Sequence, residues 1–145
     1  MKLLKFCFLV CNLGCAGSET VHCFPEASYL DIRLEVHSDW QDAGIDTPMC
    51  YHLEYLKPSE IDTRCGKPGA DGCAKIYSQT VYIKTGLKYD RQVTVLTHEI
   101  GHLAKVEGGH LACSEAPGPD VMCPTGGYPG LTPTDRDVEF IKGEF

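Results

Sequence analysis

"DRQVTVLTHEIGHLAKVE", residues 90–107, decides how the chain is read. Val93, Leu96, Ile100 and Leu103 recur at steps of three and four, the spacing of a buried stripe on an amphipathic helix. Asp90 is placed to cap the start, where its charge also meets the positive end of the helix dipole. Gly108 and Gly109 supply a stop. Gly101 costs ~1 kcal/mol relative to alanine inside such a helix; a glycine there allows close packing against another backbone.

The same helix carries His98, Glu99 and His102 in the order H-E-x-x-H. Residues four apart share a face, so the two imidazoles can bind one ion. Glu99 is turned away by about 100°, beside the ion, where a carboxylate can take a proton from a metal-bound water. Zinc suits neutral imidazoles, and a catalytic zinc takes three protein ligands plus an open position for water. That water's pKa falls to about 7; Glu99 then acts as general base and carries the proton to the leaving amine. His110 is the choice for third ligand, because the glycine pair lets the chain turn back. Glu107, Glu115 and Asp120 compete for the place. His22, His37 and His52 have no partner at motif spacing and read as surface or strand residues.

Upstream, residues 29–37 ("YLDIRLEVH") alternate, with Ile32, Leu34 and Val36 on one side, which predicts a half-buried strand. Residues 49–56 predict a second, weaker strand, with a loop or short helical turn between. Residues 57–73 are rich in Pro, Gly and Asp and read as a surface loop. Two β-rich runs follow, residues 74–77 and 80–84, as neighbouring strands or one bent strand near a sheet edge. Downstream, residues 114–133 read as loop. "LTPTDRDVEFIK" then opens a last helix, with Thr132 as cap, Pro133 in the first turn and Asp135 as capping partner.

The first residues are of another kind. Residues 1–5 carry two lysines, and residues 3–13 are almost wholly apolar, interrupted by Lys5 and Asn12, the plan of a secretory signal too short to span a bilayer. Residues 1–17 are read as that signal and residues 18–145 as one domain. "CAGSE" offers one cleavage point; "NLGCAG" resembles a bacterial lipobox, with cleavage before a lipidated Cys15 and attachment to a membrane. Of nine cysteines, Cys7 and Cys11 leave with the signal. With Cys15 lipidated or removed, six remain: Cys23, Cys50, Cys65, Cys73, Cys113 and Cys123, compatible with three disulfides in an oxidising compartment. Cys65–Cys73 and Cys113–Cys123 are the pairings short loops suggest. No C-x₂-C knuckle is present, which argues against a zinc ribbon.

The length, 145 residues, suits one domain with its own core, and the composition, 43% hydrophobic and 23% charged, is that of a globular chain. A formal net charge of -7 without a Lys/Arg cluster argues against a nucleic-acid partner.

"HEIGH" and "DVMCP" (residues 120–124) together resemble the metzincin clan of zinc metallopeptidases, whose extended motif is H-E-x-x-H-x-x-G-x-x-H followed by a methionine turn. "GCAKIYSQTVYIK" is similar to the edge strand before the zinc helix, and "LTPTDRDVEFIK" to the helix after the turn. The family's glycine would fall at Lys105 and its third ligand at Gly108; here the histidine comes two residues later. Either the helix runs on to Gly108–Gly109 or it stops early and a longer loop carries His110.

The resemblance implies an α/β (α+β) fold with a short mixed twisted sheet, an active-site helix, a Met-turn with Met122 beneath the metal, and a C-terminal helix. It implies one catalytic Zn²⁺ and a peptide lying extended along the edge strand. Tyr128, after the turn, is the candidate oxyanion stabiliser. The expected protein is a secreted or envelope-bound, monomeric zinc endopeptidase acting on protein or peptide. Its rivals are a non-catalytic zinc-binding surface module and a zinc hydrolase of a non-protein amide.

Overall fold

A computed structural model describes residues 30–48, 50–105, 108–114, 118–124 and 130–144, with Leu30 and Asp31 described by backbone only. The expected signal, Cys15, Cys23, His22, Glu107, Glu115 and Tyr128 lie outside the described residues. Among those residues the fold is mixed α+β. In chain order it runs α1 (Leu30–Asp42), β1 (His52–Leu56), α2 (Pro58–Cys65), β2 (Gly72–Lys75), β3 (Thr80–Lys84), α3 (Tyr89–Ala104) and α4 (Asp135–Lys142), with a 3-10 turn, Ile76–Ser78, between β2 and β3. No described helix is long and apolar enough to cross a membrane.

The sheet order is β1-β3-β2. β3 is central, and Thr80, Val81, Tyr82 and Ile83 are all buried, as a continuous apolar strand covered on both sides requires. β1 pairs with it in parallel, His52 opposite Thr80 and Leu56 opposite Lys84. β2 pairs antiparallel, Gly72 opposite Ile83 and Lys75 opposite Thr80. A parallel pair needs a crossover, and residues 57–79 make it, carrying α2 and β2. α3 lies against β2 and β3, and α1 packs on α3.

The strand expected at residues 29–37 is instead helix α1. Ile32, Val36 and Trp40 are buried at steps of four, and Leu34, which alternation would turn inward, is 45% exposed. The nine-residue stretch that alternates ends before Trp40, the residue that reveals the helical period. Arg33 and His37, also four apart, are buried beside this stripe, so His37 is neither a surface nor a strand residue. His52, in β1, is exposed.

The surface loop expected at residues 57–73 holds helix α2. Pro58 stands in its first turn, Glu60 accepts from the Lys57 N–H at 3.0 Å, and Ile61 is fully buried. Pooling the composition of helix and following loop hid this element. α4 also starts later than expected. Thr134, not Thr132, is its cap, and Asp137, not Asp135, its capping partner. The T-P-T-D sequence offers the same signature in two registers, and only Asp137 is buried. Cys65–Cys73 and Cys113–Cys123 form disulfides.

Candidate metal centre

α3 supplies the first two donors. Its N-cap is Lys88, with Asp90 one residue inside the first turn, and the residues from Val93 to Gly101 are buried. His98 and His102 lie one turn apart, their Nε2 atoms 3.1 Å from each other. The helix then stops at Ala104, four residues before Gly108, so the shorter-helix alternative holds. Lys105 closes it, with its Nζ donating to the Phe140 carbonyl at 2.7 Å. Gly108 and Gly109 have φ of 68° and 94°, a left-handed pair that few other residues adopt. They bring His110 back so that its Nε2 lies 3.2 Å from that of His102. The Leu111 N–H donates to the Met122 carbonyl at 2.9 Å and holds the returning chain in place.

Three side chains thus offer ligand atoms within 4.8 Å of one another, a group able to hold a metal ion. Their protonation fits that use. His98 Nδ1 donates to the Val121 carbonyl at 2.6 Å, which leaves its Nε2 with a lone pair. Burial pushes His98 down to about 4 and His102 to about 3; burial and the Lys67 ammonium lower His110 as well. At neutral pH the three rings are uncharged, and the His98 Nε2 lone pair faces the other two ring nitrogens. Such a set of uncharged rings can take up a cation.

Asp120, a competitor for the third position, is not in the cluster. It is buried and accepts from Arg136 at 2.6 Å and Thr134 Oγ1 at 2.8 Å. It lies near Cys113 and Cys123, but those sulfurs are joined to each other and offer no thiolate.

Glu99 is buried on the sheet side of α3, and burial raises its carboxyl to about 8, partly offset by a hydrogen bond from the Ala74 N–H. Gly72 makes this approach possible. A Cβ there would lie 2.9 Å from the Tyr82 carbonyl oxygen and would strike Val95 of α3. Without one, β2 lies flat on the helix. A cleft of about 540 Å³ opens beside it, lined by Gly72, Cys73 and Ala74 of β2, by Lys67, Arg91 and Val95, and by Glu99 and the three histidines.

Behind the cluster, Gly101 faces Met122. A Cβ at Gly101 would collide with the Met122 sulfur and come within 2.9 Å of Trp40 Cζ2, so the close approach is to side chains and not to backbone. Met122 is fully buried. Its N–H donates to Asp137 Oδ1 at 2.8 Å and the Val121 N–H to Asp137 Oδ2 at 3.0 Å. The carboxylate that caps α4 therefore also fixes the turn whose Val121 carbonyl orients His98. Trp40 adds a second tie, donating from Nε1 to the Thr97 carbonyl at 3.0 Å, one residue before His98. Sequence reasoning missed Trp40, Asp137 and Gly72. The T-x-x-D capping signature could have marked Asp137; nothing local marks the other two.

Compared with protein-family models, curated proteins and solved structures, the chain matches none.

Proposed function

We propose that the chain is a zinc-dependent endopeptidase of metzincin type, exported and monomeric, that hydrolyses peptide bonds in protein or peptide substrates. The observation that carries this reading is the meeting of three imidazole Nε2 atoms next to a buried carboxylate at the wall of an open cleft.

His98, His102 and His110 would hold the ion, and three neutral imidazoles are a donor set that suits zinc. A bound zinc polarises a carbonyl and lowers the pKa of water. Glu99 supplies the proton transfers. Its carboxyl, which burial raises to about 8 against the opposing Ala74 hydrogen bond, would be held in the ionised form beside a bound dication. It then accepts a proton from water and delivers it to the leaving amine. The Val121 carbonyl keeps the proton of His98 on Nδ1 and so keeps Nε2 as the donor. β2, at the sheet's edge and along the cleft, offers main-chain groups to an extended peptide. Met122 serves as the packed floor beneath α3, as a methionine turn would.

The test is cleavage of a denatured protein by the zinc-loaded chain, with zinc content measured in parallel. Glu99→Gln should lower the rate by about 10²–10⁴-fold with zinc still bound, and His98→Ala should lose both. Activity that survives Glu99→Gln sinks the reading. Zinc retained without cleavage of any protein or peptide favours the binding module, and turnover of non-protein amides alone favours the other hydrolase.

A further inference from the structure

We propose that Lys67 determines specificity in the cleft, and that the peptide bound there carries a carboxylate opposite it, from an Asp or Glu side chain or from a free C-terminus. This rests on the endopeptidase reading and names its substrate class.

Two cations line the cleft, Lys67 and Arg91. Arg91 is committed, since its Nε donates to Asp71 at 2.9 Å, and Asp71 also pairs with Lys84. Burial would raise the Asp71 carboxyl, but the hydrogen bonds from Lys84 and Arg91 outweigh it and hold it below the usual range, so this trio stays paired. Lys67 has no ion-pair partner among the described residues. Its charge is therefore available to a ligand.

The backbone beneath Lys67 is fixed on both sides. Gly66 and Gly69 have φ of 68° and 75°, and Pro68 restricts the link between them. The Gly69 N–H donates to Asp62 Oδ1 at 2.8 Å, and the Cys65–Cys73 disulfide closes the loop onto β2. The lysine therefore starts from a fixed point on the wall of the cleft it lines with the three histidines, and its flexible stem carries the charge to a ligand. The whole chain carries a formal net charge of -7, so long-range steering works against an acidic peptide. A preference for one must come from a cation inside the cleft.

Matched peptides test this, differing only by Glu or Gln at each position flanking the cleaved bond, each as free acid and as C-terminal amide. Relative kcat/KM is read with the zinc-loaded protein, and relative Kd by fluorescence anisotropy with zinc-loaded Glu99→Gln. At one position Glu should be favoured over Gln by about two- to five-fold, the range for a solvent-exposed charge pair. Lys67→Ala should bring that ratio near one and Lys67→Glu should invert it. A preference removed by amidation instead assigns the carboxylate to the C-terminus. Ratios of one in both assays, or ratios that Lys67→Glu leaves unchanged, overturn the proposal. Absent cleavage with an anisotropy preference that inverts defeats only the endopeptidase reading. Glu99-dependent cleavage indifferent to Lys67 defeats only the specificity assignment.

Discussion

α3 and α1 pack against each other, and only one of them is visible in the sequence. α3 repeats its apolar residues from Val93 to Leu103, about three turns, and sets His98 and His102 one turn apart. α1 spreads its buried side over Ile32, Arg33, Val36, His37 and Trp40, so two of the five inward residues are polar. Hydrophobic periodicity cannot register a buried arginine and histidine as inward, and Leu34 on the outside imitates alternation. The comparison teaches that an element positioning a site can hide when its buried face is polar, although its neighbour is plain.

If α1 acts as the brace of α3, removing its anchor should have the largest effect. Trp40→Ala should cost about 3–5 kcal/mol of stability, measured by denaturant unfolding, and should weaken zinc binding because Trp40 touches both Gly101 and the Thr97 carbonyl. A cost under about 1 kcal/mol would break the comparison. The opposite brace comes next. Asp137→Asn keeps the shape but weakens the acceptor of two turn N–H groups, and zinc affinity should fall by about 10–100-fold, as for other groups that orient a ligand. Competition with a chromophoric chelator reads this directly.

His37 gives a smaller effect with a definite sign. Burial first, and Arg33 second, lower it from 6.5 to about 4. The unfolded chain therefore binds a proton that the folded chain refuses between those values, and stability falls as pH drops from about 6.5 to about 4. In the zinc-loaded protein, His37→Gln should make that slope shallower by one proton, read from unfolding at several pH values. An unchanged slope would place His37 in water. The smallest expected effect is the sharpest on α1 itself. Leu34→Ser should change stability by no more than about 0.5 kcal/mol. A strand with Ile32, Leu34 and Val36 on one face would lose several times more.

Much of the site was legible before any fold was known. His98, Glu99 and His102 follow from the helical repeat, and both described disulfides join cysteines eight and ten residues apart, where a short loop leaves few choices. His110 was legible as a candidate because two glycines permit a reversal. α2 was lost because its signals, Pro58 and Glu60, sit against a loop of similar composition. The cap of α4 was misplaced by two residues because Thr132 and Thr134 offer the same chemistry, and only burial of Asp137 chooses between them.

By itself the sequence determined the relations set within one turn or one short loop: which imidazoles share a face, where a carboxylate stands beside them, which thiols can meet. The repeat of a helix and the reach of a few residues dictate those. Tertiary structure alone decided that His110 and not Asp120 completes the cluster, that Met122 lies under Gly101, and that Trp40 and Asp137 hold the two sides. Where a loop returns depends on everything packed around it, and no local pattern of residues carries that information.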